Sequence, residues 1–377
     1  MSNWPGKYVI GLTGNIATGK SAVRRMLEHL GAYGIDADAL SHRAIAKGAP
    51  GYQKVIDAFG KWIVDSDGEI DRAKLGRLVF NDPEALQQLE LIVHPLVEQA
   101  VDLTIQRSSQ RVIVIEAIKL LEGNLVAGCD AIWVTYTPEP IQIVRLIQKR
   151  NMSEQEAVQR IHAQPAQEAK TVAANVVIQN RGSFEDTWKQ VVAAWKGISP
   201  VTDTQPVVMR KATDGELSVQ RGRPRDSADI AALITRLGQE THPQSQNDIM
   251  AAFGEKAFLL LMAEKEIVGL VGWQVENLVA RTTDLYIESS IPQERALKIL
   301  VSEVEHASQD LQCEASLFFL PPQVIGQESI WQGLGYTRRT PQTLGVKAWR
   351  DAAIESQPPD TILLFKQLRQ DRVLRPI

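Results

Sequence analysis

The octapeptide Gly14-Asn-Ile-Ala-Thr-Gly19-Lys20-Ser21 constrains this chain more than any other stretch. It has the spacing G-x-x-x-x-G-K-[ST], and it stands between an apolar run, Tyr8–Thr13, and a helical pattern, Ser21–Leu30. A strand that turns through such a loop into a helix commits the segment to a parallel α/β sheet. Gly14 and Gly19 permit the tight turn in which the backbone N–H groups of Asn15, Ile16, Ala17 and Thr18 face inward around phosphate oxygens. The helix then presents its positive N-terminal end to the same anion. Lys20 can reach the β- and γ-phosphates, and the Ser21 hydroxyl can ligate Mg²⁺. These residues predict a nucleoside triphosphate site.

The rest of the composition narrows the class. Across 377 residues, 41 Lys and Arg stand against 45 Asp and Glu, a net charge of -4, so the basic excess of a nonspecific nucleic-acid binder is absent. Cys129 and Cys313 lie far apart, which suits neither a disulfide framework nor a cysteine zinc site. No stretch approaches the roughly 18 apolar residues of a membrane span, and the short run at Tyr8–Thr13 lacks the flanks of a signal peptide. The expectation is a soluble, cytoplasmic protein with no nucleic-acid or membrane partner.

Strands are predicted at Tyr8–Thr13, Arg111–Ile115, Ala131–Tyr136 and Val176–Ile178, with helices at Ser21–Leu30, Pro83–Gln106, Glu139–Arg150 and Ser153–Ala163. This alternation predicts a first α/β domain over 1–198. Residues 199–216 carry linker chemistry, Ser199-Pro-Val-Thr-Asp-Thr-Gln-Pro206 above all. Over 217–377 the order changes. A strand at Leu217–Arg221 leads to helices near Ser227–Gly238 and Asn247–Phe253, then strands at Ala257–Ala263, Ile267–Val275 and Thr282–Ile287 with a hairpin turn at Lys265-Glu266. A long helix at Gln293–Leu311, a strand at Glu314–Phe319, a short helix near Gln327–Leu334 and a strand at Thr361–Leu368 complete an α+β pattern.

A phosphate loop names the donor and not the acceptor. The next chemistry is Ile35-Asp36-Ala37-Asp38, just after the first helix. A short strand here, lying beside the strand of the phosphate loop, would bring Asp38 near the γ-phosphate. A carboxylate there can accept a proton from an attacking hydroxyl or help hold Mg²⁺. Either aspartate can equally cap a helix over Ala39–Lys47.

Gly14–Ser21, Ile35–Asp38, His94-Pro95, Glu116-Ala-Ile-Lys-Leu-Leu-Glu122 and Asn175–Asn180-Arg-Gly-Ser together resemble the dephospho-CoA kinases, in order and separation, over about residues 7–197. The resemblance implies a P-loop NTPase parallel sheet with a helical CoA-binding part and a lid. It implies transfer of the ATP γ-phosphoryl group to the ribose 3′-hydroxyl of dephospho-CoA, with ATP and Mg²⁺ as cofactors. Asp38 then matches the general base, and Lys20 and Ser21 match the phosphate and magnesium contacts. His94 falls in the acceptor-binding part, although it could simply end one helix before Pro95 starts the next. Arg145, Lys149 and Arg150 fall on the lid helix, and Asn180 near the adenine. Asp36, His42, Arg43 and Lys119 complete the expected acceptor contacts.

This chain departs from the family pattern in three places. Ile118-Lys119 replaces the usual proline-leucine, so Lys119 can contact a substrate phosphate or pair with Glu116 or Glu122. Lys149 stands at the usual lid arginine, keeping the charge and losing the bidentate fork, with Arg150 next to it. His42 stands where arginine is frequent, with Arg43 beside it. These departures keep two alternatives in view: another small-molecule P-loop kinase, and a nucleotide-binding regulatory or scaffold protein with an impaired lid.

The C-terminal order of elements resembles the GNAT-type N-acetyltransferases over about 217–345, with Trp331-Gln-Gly-Leu-Gly335-Tyr336 in the closing segment. Active members bare backbone N–H groups to the acetyl-CoA pyrophosphate through glycines, but here Pro292-Gln-Glu-Arg-Ala-Leu-Lys298 has none. The expectation is a non-catalytic GNAT-like domain with a C-terminal tail, with CoA or acetyl-CoA as a possible partner. Tyr336 can be read as a general acid or as a core aromatic.

Overall fold

The computed structural model describes residues 4–369 except 151, 199–212, 215–216, 239–243, 265, 277 and 326–327. The expected linker, apart from Thr213 and Asp214, and Lys265 of the expected hairpin turn lie outside the described residues. Two compact units are present. Among the described residues, one holds 4–20 and 33–181, and the other holds 21–32 and 182–369.

The first unit is built on five parallel strands: β1 (Tyr8–Thr13), β2 (Tyr33–Asp36), β3 (Val112–Glu116), β4 (Ala131–Tyr136) and β5 (Val176–Gln179). Helix α1 (Lys20–His29) leaves this unit after β1; α2 (Ala37–Ala44), α3 (Tyr52–Phe59), α4 (Arg72–Asn81) and α5 (Pro83–Arg107) lie between β2 and β3. Helix α6 (Glu139–Arg150), α7 (Glu154–His162) and α8 (Gln167–Val172) precede β5, and α9 (Phe184–Lys196) follows it in the second unit.

The strand order is β2-β3-β1-β4-β5. This corrects one expectation: β2 pairs with β3, Asp36 opposite Glu116, and β3 separates it from β1. The side chains give the reason. Every residue of β3, Val-Ile-Val-Ile-Glu, is buried, as an interior strand of a doubly covered sheet requires, whereas the four residues of β2 alternate buried and half-buried and suit an edge. Pro95 also fails to end a helix. It sits inside the single 25-residue α5, whose buried Val93, Val97, Ala100 and Val101 continue one apolar face across it. Packing of that face outweighs the lost backbone hydrogen bond.

The second unit carries an eight-stranded sheet among the described residues. Its strands are β6 (Thr213–Asp214), β7 (Leu217–Arg221), β8 (Ala257–Ala263), β9 (Glu266–Glu276), β10 (Val279–Ile287), β11 (Ala315–Leu320), β12 (Thr337–Arg339) and β13 (Ile362–Gln367), in the order β12-β13-β11-β10-β9-β8-β7-β6. Only β10 and β11 run parallel. Its helices are α10 (Ser227–Leu237), α11 (Gln246–Ala252), α12 (Gln293–Asp310), α13 (Pro322–Ile325), α14 (Glu328–Gly333) and α15 (Lys347–Ser356). Leu297, Leu300 and Val304 of α12 pack with Trp331 and Tyr336 in one core cluster. The described part of the expected tail, up to residue 369, belongs to this unit, where α15 buries Trp349 and Ala353 with Val279, Leu317 and Phe319. Among the described residues no helix is long and apolar enough to cross a membrane.

Candidate active site

The phosphate loop follows β1 in the first unit. Gly14 and Gly19 have φ of 151° and 92°, and Ala17 also takes a positive φ of 59°. A Cβ on Gly14 would lie 2.3 Å from Thr135 Oγ1, and one on Gly19 only 1.9 Å from Asn180 Nδ2. Glycine is therefore required twice over, by dihedral angle and by space.

The loop is braced from its far side. Thr18 Oγ1 donates to Asn15 O at 2.8 Å and lies 2.7 Å from Thr135 Oγ1. Asn180, one residue past β5, donates through Nδ2 to Thr18 O at 2.9 Å. Arg145 of α6 donates to Ala17 O at 3.2 Å and to Asn180 O at 2.9 Å. The expectations for these two residues are a lid cation and a position near the adenine; the contacts here are of Arg145 and Asn180 with the loop backbone and with each other. Lys149 and Arg150, at the end of α6, are exposed. Arg150 is near enough to oppose protonation of Lys20.

Lys20 is buried and donates to Asn15 O at 3.2 Å. Burial is the main cause that lowers its ammonium pKa, while Glu116, Asp38 and Asp36 pull the other way. Ser21 follows at the start of α1.

The two aspartates divide their work. Asp36 is the N-cap of α2 and accepts from Ala39 N at 2.8 Å, so the helix begins at Ala37, two residues before the sequence expectation. Asp38, in the first turn, is left for other work: its Oδ2 accepts from Ile118 N at 3.1 Å. Burial raises the Asp38 pKa above the ordinary aspartate range. The Ile118 hydrogen bond and the charges of Lys20 and Lys170 oppose that rise, and Glu116 adds to it. This environment suits a carboxylate that has to take up a proton.

A cavity opens beside Asp38, lined also by Ser41, His94, Glu98, Lys119 and Asn124. His94 is half-buried on α5 and lines the same cavity as Asp38. Lys119 lines the cavity too, but its ion pair, 2.9 Å long, is with Glu90 and with neither Glu116 nor Glu122. The register explains this, since Glu116 ends buried β3 while Glu90 on α5 faces the loop that carries Lys119. His42 is exposed and Arg43 half-buried on the last turn of α2, and neither is among the cavity lining.

Two participants had no sequence signal. Gln164, between α7 and α8, accepts from Ile16 N at 2.7 Å, one of the loop amides. Lys170 on α8 is 4% exposed and donates to Ile118 O at 2.7 Å. A six-residue helix offers too few turns for periodicity to separate a buried cation from an exposed one.

In the second unit, Tyr336 is buried, bonded to Ser316 Oγ at 2.9 Å and edge-on to Phe318 and Trp331, with its phenol pKa raised by burial. Helix α12 starts with Pro292 as N-cap, and Glu294 in its first turn pairs with Lys298 at 2.8 Å. Among the described residues no group of three or more His, Cys, Asp or Glu side chains could hold a metal ion.

A family model described as dephospho-CoA kinase matches residues 8–186. The dephospho-CoA kinase of Carboxydothermus hydrogenoformans is 44% identical over 194 residues, covering 50% of this chain and 94% of that relative. The solved dephospho-CoA kinase of Campylobacter jejuni is 27% identical, with 51% of this chain and 98% of that one covered at a TM-score of 0.37. The PaiA N-acetyltransferase of Thermoplasma acidophilum, solved with coenzyme A, is 11% identical and covers 41% of this chain and 99% of its own at a TM-score of 0.32. With nearly the whole length of its kinase relative contained in its N-terminal half, the chain belongs to the dephospho-CoA kinase family.

Proposed function

We propose that this protein transfers the γ-phosphoryl group of ATP to the ribose 3′-hydroxyl of dephospho-CoA, giving coenzyme A and ADP, and does so in the cytoplasm. The observation that carries the reading is the setting of Asp38: half-buried, aimed by Ile118 N–H, on the wall of a cavity shared with His94, and close enough to Lys20 for their charges to couple. In the step proposed, the hydroxyl O–H bond breaks and its proton passes to Asp38. The hydroxyl oxygen forms a bond to the γ-phosphorus, and the bond from that phosphorus to the β–γ bridging oxygen breaks, releasing ADP. The loop amides and Lys20 stabilise the charge on the transferring group, so that catalysis is mostly positioning and electrostatics.

Mg²⁺ fits the donor chemistry. With no cage of protein carboxylates and imidazoles among the described residues, a small hard cation would be held by the Ser21 hydroxyl and nucleotide phosphates. When bound it supplies neutralisation of phosphate charge. Arg145 braces the loop in this reading, and Arg150 is the lid cation.

The second unit is read as GNAT-like and non-catalytic. Its support is the glycine-free start of α12 and the burial of Tyr336 in an aromatic cluster. Calorimetric titration of the full chain with CoA should then find one site per chain, whereas two would give the second unit a CoA site.

The test of the kinase is ADP release from the full-length protein with Mg-ATP, with and without dephospho-CoA, beside Lys20→Ala and Asp38→Asn. Acceptor-dependent turnover that collapses in both variants supports the reading. ATP binding without acceptor dependence supports a regulatory role.

A further inference from the structure

The main chain of Ile118 is held on both sides of its Cα, at the N–H of the Ala117–Ile118 peptide and at the carbonyl of the Ile118–Lys119 peptide. Its N–H donates to Asp38 Oδ2 at 3.1 Å, and its carbonyl oxygen accepts from Lys170 Nζ at 2.7 Å and from Thr13 Oγ1 at 3.1 Å. One residue, through the two peptide groups that flank its Cα, therefore links a buried ammonium on α8 to the carboxylate on α2. We propose that Lys170 is a positioning residue for phosphoryl transfer, anchoring the Ile118 main chain through its carbonyl so that the N–H on the other side of the same Cα aims the Asp38 carboxylate, and keeping positive charge behind that carboxylate. This inference rests on the kinase reading above.

Energetics argue that the charge itself is needed. Burying an ammonium costs several kcal/mol unless it is well paired. Yet among the described residues the hydrogen-bond acceptor of Lys170 is a neutral carbonyl, one that Thr13 already satisfies. An apolar side chain of similar length could fill the space on α8 at lower cost. The charged groups coupled to Lys170 are Lys20, Glu122 and Asp38, and Asp38 in turn feels Glu116. Burial and the repulsion of Lys20 lower the Lys170 pKa, while Glu122 and Asp38 oppose them. A buried cation held on the same main-chain residue as a cavity-wall carboxylate marks a functional site.

The experiment compares full-length wild type, Lys170→Met, Lys170→Arg and Thr13→Val in steady-state turnover and thermal unfolding. Wild-type turnover on dephospho-CoA is measured first; if it is absent, the kinase reading fails. Given turnover, Lys170→Met should lower kcat by about 10- to 100-fold, the scale of a misplaced catalytic group. KM for ATP should stay unchanged, and Tm should be equal or higher because a buried charge is gone. Lys170→Arg should recover most of the loss, and Thr13→Val, which removes the neutral donor to the same carbonyl, should stay within about threefold of wild type. An unchanged kcat in Lys170→Met would overturn the inference. So would a fall in kcat that comes with lowered Tm and raised KM for both substrates, or one that Lys170→Arg fails to recover, because each is the signature of a merely structural lysine.

Discussion

A side-chain atom on Gly19 would sit 1.9 Å from Asn180 Nδ2, the same nitrogen that donates to Thr18 O at 2.9 Å. The end of β5 is thus fitted against the phosphate loop with no room for one methyl group. Gly19→Ala has to displace Asn180 and also hold alanine at φ 92°, a strain of roughly 1–3 kcal/mol. Affinity for a fluorescent ATP analogue should fall roughly tenfold or more. Adding Asn180→Ala relieves the collision and leaves the dihedral strain, so the double variant should recover only part of the loss. Full recovery would place the whole effect in the collision.

Asp36 and Asp38 should separate stability from activity. Asp36→Ala removes the cap that accepts from Ala39 N and should cost about 1 kcal/mol of stability, read by denaturant unfolding. Asp38→Asn should do the reverse. The fold disfavours ionised Asp38 through burial, so a neutral isostere is expected to raise Tm while turnover falls on the order of 100-fold or more. A stable, active Asp38→Asn would contradict the assignment of the base.

The pH dependence follows from the same group. A base must be ionised to accept a proton, and burial shifts the Asp38 pKa upward. The acidic limb of kcat/KM should therefore lie above the ordinary aspartate range, activity falling as pH drops through it. For stability the sign is opposite, because protonating a group whose folded pKa is raised favours the fold. A limb at or below about pH 4, the ordinary aspartate range, would contradict this environment.

Both cysteines should be unreactive in the native protein. Cys313 is fully buried, and the Cys129 thiol, half-buried and donating to Leu125 O, is pushed up to about 12 by burial and then by the charge of Asp130. At about pH 8 its thiolate fraction is negligible. A chromogenic disulfide reagent should label no thiol within minutes natively and two per chain in guanidinium. Rapid labelling of one thiol in the native protein would contradict this burial.

Much of the architecture was legible because the strongest patterns were long or cleanly bounded. Strands β1, β4, β7 and β8 and helix α6 begin and end at the residues their apolar runs indicate. Lys20 and Ser21 open α1 and Asp38 stands in the first turn of α2. What stayed hidden depends on tertiary packing. No local pattern says that β3 enters between β1 and β2, since that choice is made by burial of both faces. Strand β12 is three exposed residues, Thr-Arg-Arg, held only by pairing with β13. Lys119 finds Glu90 rather than a sequence neighbour, and Lys170, far from Asp38 in the chain, meets it through the main chain of one residue, Ile118.

The central claim is tested most directly by following the phosphoryl group itself. Full-length protein is incubated with γ-labelled ATP, Mg²⁺ and dephospho-CoA, and the labelled product is isolated and mapped. The account predicts label in a product identical to coenzyme A, on the ribose 3′-oxygen, formed on the order of 100-fold or more slower by Asp38→Asn. Label at another position, on a nucleoside in place of dephospho-CoA, or in inorganic phosphate alone would contradict it.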